Sequence, residues 1–254
     1  MPVLRNILEL LFPPRCPLCD RLLDVSAIRR KQKIHKACKK RLYPVSQPFC
    51  FHCGKPLEGM EKEYCIDCRK RIAKTESVHW DGRPFSNIMQ GRALYVYQGD
   101  IRQTMYRFKY SNRREYAAFF AEELCKTYGK WIMENQIEAV VPVPMYPKKK
   151  RQRGYNQAGI LAKAVAGEMG LIFEPDAVRR LVDTSPQKKL NAKERKNNLK
   201  NAFQAEDFVV KYKCILLVDD IYTTGATAEA VAEALCQKGV NKIFLLSVCT
   251  GRGL

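Results

Sequence analysis

Strand-like apolar runs that alternate with helical periods, two strand-to-helix turns dense in anion-binding groups, and a front-loaded set of paired cysteines together predict an α/β fold. It is a parallel sheet flanked by helices, with a small metal-stapled domain ahead of it. The runs at 138–143, 214–218 and 242–249 are short and mostly apolar, the pattern of strands buried on both faces of a sheet. Helical patterns follow the first two at 156–169 and 226–238. Seven of the eleven cysteines fall before residue 69.

Hydrophobic residues make up 46% of the 254, enough for the core of one α/β domain and a smaller unit. The net charge is +19, and both parts of the chain share the excess: residues 1–90 hold 18 Lys and Arg against 9 Asp and Glu. Such a balance suits polyanionic partners, or solvated surface lysines. No apolar run is long enough to span a bilayer, and 7–12 runs into Pro13, Pro14 and Cys16 rather than a cleavage site. The expected location is cytoplasmic, where the cysteines serve as thiols and metal ligands rather than disulfides. Residues 1–12 read as a short amphipathic helix.

Residues 13–72 carry four knuckles: Cys16 and Cys19, His35 and Cys38, Cys50 and Cys53, Cys65 and Cys68. A two-residue gap lets both side chains of a knuckle reach one ion from a tight turn, and two knuckles complete a tetrahedron, so the spacing predicts two structural zinc (Zn2+) sites. Pairing in sequence order gives Cys16, Cys19, His35 and Cys38 at one ion and Cys50, Cys53, Cys65 and Cys68 at the other; crossed pairing stays open. The segment is too poor in apolar residues to fold without metal. His52, between two ligands, is expected at the surface or behind the ligands. The remaining cysteines, Cys125, Cys214, Cys236 and Cys249, read as small core residues. The basic run from Arg29 to Arg41 either faces nucleic acid or is simply solvated.

Residues 73–91 show no period and are taken as a linker, with the α/β domain at 92–254. A strand at 92–97 is followed by helices at 101–110 and 115–135. After the strand at 138–143, Lys148 to Arg153 place five cations in six residues on the turn into the next helix, an anion site completed by backbone N–H groups. A further strand is expected at 174–181. The polar, basic stretch at 182–201, helical from 192, reads as a lid that excludes water, and a hairpin through Phe203 and 208–210 leads to the central strand.

That strand runs into Asp219 and Asp220, then Ile221, Tyr222, Thr223, Thr224, Gly225, Ala226 and Thr227, and then a helix. Unpaired backbone N–H groups at a helix start, three hydroxyls and a glycine make a phosphate cradle. The carboxylates accept hydrogen bonds from sugar hydroxyls or reach Mg2+ through water. A phosphorylated sugar satisfies both halves.

This loop resembles the 5-phosphoribosyl-1-pyrophosphate (PRPP) loop of type I phosphoribosyltransferases. Further marks stand in order along the chain: the knuckles, Phe12 to Cys19, Val141-Pro142-Val143-Pro144, Arg153-Gly154-Tyr155-Asn156-Gln157, and Asn198 to Phe203. Together, from about residue 12 to 250, they resemble the ComF family, bacterial proteins with a double zinc ribbon ahead of a type I phosphoribosyltransferase-like domain. His35 departs from that pattern, which usually has Cys there. The resemblance implies PRPP bound with Mg2+, its 5-phosphate on Thr223 to Thr227 and its ribose hydroxyls at Asp219 and Asp220. Arg151 and Arg153, with Lys109, would stabilise the leaving pyrophosphate. It further implies a role in natural competence, with single-stranded DNA and the competence translocation machinery, reached through the zinc ribbon, as partners. The alternative is a non-catalytic protein that senses PRPP or a nucleotide, or holds DNA, while the ribbon docks a partner. The sequence offers no evident general base, which favours the alternative; the intact acidic pair and turn favour the enzyme.

Overall fold

The computed structural model describes residues 13–59, 61–73, 86–183 and 201–253. The expected helix at 1–12, most of the linker, and the expected lid except for Val182, Asp183 and Asn201 lie outside those residues. Five strands form one parallel sheet in the order β1-β7-β6-β2-β3: β1 (Gln90–Val96), β2 (Ala139–Pro142), β3 (Ile172–Phe173), β6 (Cys214–Tyr222) and β7 (Lys242–Thr250). A separate antiparallel hairpin pairs β4 (Val178–Arg180) with β5 (Phe203–Ala205).

The central strands are buried on both faces, and their side chains alternate between two cores as the pleat requires. Leu216, Val218, Phe244, Leu246 and Val140 join one core with α4 (Asp100–Tyr110), α5 (Tyr116–Glu134) and α7 (Gln157–Met169). Ile215, Leu217, Ile243, Leu245 and Val141 join the other, with α8 (Ala226–Gln237) and the hairpin. Each fully buried leucine contributes about 2 kcal/mol of hydrophobic stabilisation.

The ribbon segment carries α1 (Val25–Arg29), α2 (Lys36–Lys39) and α3 (Ile66–Ile72). Leu18, Leu23, Ile34 and Leu42 belong to the first core and the second cysteine set to the second core, so metal and sheet share the task of ordering this segment. The segment also covers an edge of the sheet. The Val45 N–H donates to the Leu94 carbonyl at 2.8 Å, the Val96 N–H to the Tyr43 carbonyl at 2.8 Å, and the Gly91 N–H to the His52 carbonyl at 2.6 Å. A covered edge removes a row of unpaired donors and acceptors that would otherwise invite pairing with another chain.

Three expectations are corrected. Of the strand expected at 174–181 only Val178–Arg180 forms, as β4 of the hairpin; β3 of the main sheet ends before it at Phe173, and Pro175 between them has no N–H for a ladder. The hairpin partner of Phe203 is β4, while Asp207–Lys211 forms a 3-10 turn. The basic stretch is not a loop but a helix, α6 (Pro147–Arg153).

Candidate functional site

Strand β6 does not stop at Val218. It continues to Tyr222, so Asp219 and Asp220 lie within the strand, Asp219 opposite Ser247 of β7. Two adjacent carboxylates in a strand point to opposite faces. Asp219 Oδ1 accepts from the Asp220 N–H at 2.8 Å. Asp220 is 9% exposed and meets the Lys109 ammonium, 2.9 Å from Oδ2. Burial, and next the charge on Asp220, push the Asp219 carboxyl up to about 7, against an ordinary 3.8. The site thus holds a carboxyl that ionises near neutrality.

Lys109 is placed by the residues that follow α6. Tyr155 Oη donates to the Phe108 carbonyl, and Gln157 Nε2 donates to the Phe108 and Lys109 carbonyls at 3.4 and 3.3 Å. The last turn of α4 is thereby tied to the start of α7, with the ammonium between them and β6.

Lys109, Asp219 and Asp220 line a cavity of about 230 Å³ with Thr227, Lys149, Arg153, Arg180, Asn156, Gln157 and the backbone-rich segment Val143, Pro144 and Met145. Four cations thus surround two carboxylates. Arg153 donates to Gln157 Oε1 at 3.2 Å and to Tyr110 Oη at 2.9 Å. Lys149 pairs with Asp183 at 2.9 Å. Arg180 comes from the hairpin, its guanidinium 5.3 Å from the Phe203 ring centre. Arg151 is exposed and outside this lining. Lys149 belongs to the basic stretch expected to bind anions. Arg180, reached through β4, carried no signal beyond an Arg179-Arg180 pair.

The turn after β6, expected to cradle an anion, has its glycine in a left-handed conformation at the cap of α8 and contributes Thr227 to the cavity lining. Thr223 and Thr224 are exposed, Gly225 is buried, Ala226 is exposed and Thr227 opens helix α8 facing the cavity. Gly225 has φ +78°, and a Cβ there would collide with the hydroxyl of Tyr222 beneath it. Only glycine satisfies both conditions. Ile221 is half-buried beside these residues.

The metal-ligating residues come together in sequence order. The ligand atoms of Cys16, Cys19, His35 and Cys38 lie within 4.8 Å of one another, as do those of Cys50, Cys53, Cys65 and Cys68. Burial and the neighbouring sulfurs of the first set push the Cys38 thiol up to about 12, so it needs a cation to ionise in place. His35 Nε2 is 3.2 Å from the Leu22 carbonyl, which fixes the proton there and leaves Nδ1, 3.4 Å from Cys19 Sγ, free to ligate. Both donor sets fit zinc and use four protein ligands each, so the sites are structural. His52 is buried rather than at the surface, its Nε2 3.7 Å from Glu229 Oε1. Among the described residues, no helix is long and apolar enough to cross a membrane.

Residues 7–69 match the model of the double zinc ribbon domain. Competence protein F of Haemophilus influenzae is 30% identical over 237 residues, covering 91% of this chain and 95% of that protein. Competence protein ComFC of Bacillus subtilis is 26% identical over 235 residues, covering 88% and 89%. The DNA utilization protein YhgH of Salmonella typhimurium is 28% identical over 218 residues, covering 79% and 96%. Among solved structures, glutamine PRPP amidotransferase of B. subtilis, complexed with ADP and GMP, is similar at a TM-score of 0.37 and 14% identity. That match covers 56% of this chain and 30% of the enzyme, a likeness too slight to carry an argument.

Proposed function

This chain belongs to the family of competence protein F, and on that premise we propose that it binds PRPP, as its magnesium complex, and transfers the phosphoribosyl group to an acceptor during DNA uptake. The observation that carries the reading is one cavity lined by an acidic pair on a strand, by four cations and by Thr227, in the helix start that follows the glycine turn. The 5-phosphate would accept hydrogen bonds from the backbone N–H groups and hydroxyls of Thr223, Thr224, Gly225, Ala226 and Thr227. The ribose hydroxyls would donate to Asp219 and Asp220, whose carboxylates also suit the water shell of Mg2+.

Lys109 would then exchange partners. In the free protein it neutralises Asp220; when ribose hydroxyls take that carboxylate, the ammonium turns to the pyrophosphate with Lys149, Arg153 and Arg180. The bond from the anomeric carbon to the pyrophosphate oxygen breaks, the electron pair leaves with pyrophosphate, and the acceptor's lone pair forms the new bond to that carbon. Positioning and charge stabilisation carry such a reaction. Arg151, on the exposed side of α6, would serve by attracting the polyanion rather than by contact.

A second reading, a binding protein for single-stranded DNA or a competence partner without turnover, is favoured by one observation. Tyr106 and Tyr110 are exposed with ring centres 5.0 Å apart, and Arg153 stacks 4.6 Å over Tyr110 at the cavity. Aromatic rings beside cations suit unstacked bases. The discriminating experiment is magnesium-dependent release of pyrophosphate from PRPP, with single-stranded DNA and free bases as acceptors, in the parent and in Asp219→Asn plus Asp220→Asn. Release abolished by the double change supports the enzyme. No release from either, with DNA binding unaltered by the change, supports the second reading.

A further inference from the structure

The zinc ribbon has a contact with the turn before α8 that neither a structural role nor a docking role requires. Helix α3 starts at its cap residue Cys65 and carries Cys68, and Arg71 stands one turn beyond Cys68 on the same face. The Arg71 guanidinium donates through Nη2 to the Thr224 carbonyl and through Nη1 to Glu229 Oε1 at 3.2 Å. Glu229 lies in the first turn of α8 and also accepts from the Ser86 hydroxyl and from the Asn87 N–H at 3.2 Å. The other knuckle of the same cluster reaches this carboxylate through His52, set between Cys50 and Cys53. Tyr222, beneath the turn, packs under Lys55 of that knuckle, Nζ to ring centre 5.8 Å.

The bond to Thr224 has a geometric consequence. A trans peptide is planar, with its carbonyl and N–H pointing in opposite directions. Holding the Thr224 carbonyl toward the ribbon turns the Gly225 N–H away from it. Glycine in a left-handed conformation adds no steric barrier to a flip of that peptide, so the orientation depends on what grips the carbonyl. The arginine fork grips it and the first helical turn at once, and the four-cysteine cluster fixes the helix that bears the arginine.

We propose that Arg71 is a positioning residue through which the zinc-filled Cys50, Cys53, Cys65 and Cys68 cluster sets the phosphate-binding turn for anion capture. Occupancy of that ribbon site therefore governs affinity for the sugar phosphate, whereas among the described residues no hydrogen bond or ion pair joins the Cys16, Cys19, His35 and Cys38 site to the turn. The inference rests on the PRPP reading for its consequence, but the brace itself is testable without ligand.

The test uses the full chain with two zinc ions per molecule verified, as parent, Arg71→Met and Arg71→Lys. Amide hydrogen exchange is followed by mass spectrometry over peptides spanning Tyr222 to Ala230, and PRPP with magnesium is titrated by calorimetry. In Arg71→Met the turn should exchange about 10-fold faster with β7 unchanged, and PRPP affinity should fall about 10- to 100-fold. Arg71→Lys, which retains a donor for the carbonyl, should recover part of both. Unaltered exchange in Arg71→Met overturns the proposal even if affinity drops, since the arginine would then act only as a charge. A parent that binds no PRPP overturns the functional reading, while the exchange data still decide the brace. Should Arg71→Met fail to fold, Glu229→Gln, which weakens the other end of the fork, carries the same exchange test with the same overturning result.

Discussion

Replacing Asp219 by asparagine should make the protein more stable and less able to bind its ligand, and the gain should depend on pH in a fixed direction. Its carboxyl is held up at about 7 by burial and by Asp220. In the unfolded chain it ionises near 3.8, so between those values the folded state holds a proton that the unfolded state has released. Stability from this group is complete below 3.8 and falls as pH rises through 7. The difference corresponds to about 4 kcal/mol at pH 8 and about 2 kcal/mol at pH 5. Asparagine keeps the oxygen that accepts from the Asp220 N–H and has no charge to desolvate. Urea unfolding of parent and Asp219→Asn, compared at each pH so that the zinc contribution cancels, reads the effect. The variant should be more stable at both values, with the larger margin at pH 8. An equal or lower stability at pH 8 would refute the claim that this carboxylate is held against its own preference for a ligand.

Lys109→Met removes a positive charge that lowers the Asp219 carboxyl, so the pH at which PRPP binding develops should move upward; a pH series of calorimetric titrations measures it, and an unchanged midpoint would count against that electrostatic coupling. Gly225→Ala forces a Cβ against Tyr222 in a left-handed residue and should cost about 2 kcal/mol or more in urea unfolding while abolishing phosphate binding. Zinc release to a chromogenic chelator at falling pH should be biphasic. The site with half-buried Cys19 and His35 should empty first, before the fully buried four-cysteine site. A single phase releasing both ions together would contradict that order.

Much of this was legible because it is local. The continuous apolar run before Asp219 announces a two-faced buried strand, and the two-residue gaps between cysteines announce metal turns whatever their tertiary setting. Helix α6 was missed for a physical reason: it buries none of its residues, so it has no apolar period. Its only signals are Pro147 at the start and Gly154, φ +80°, at the end, the expected bracket of a helix. Arg180 reaches the cavity through a hairpin whose strands are joined across more than twenty residues, and no spacing rule reports such a pairing. The union of ribbon and sheet was equally invisible. Leu18, Leu23, Ile34 and Leu42 follow no repeat, and only the fold shows them entering the core of α4 and α5.

The central claim is a pocket that grips a sugar phosphate by main-chain amides and its hydroxyl edge by two acids. Calorimetry of PRPP with magnesium, on zinc-loaded protein, tests it directly. The account predicts saturable heat from the parent and none from the chain carrying Asp219→Asn with Asp220→Asn. Absence of heat from the folded parent, or the same heat from both proteins, would contradict it.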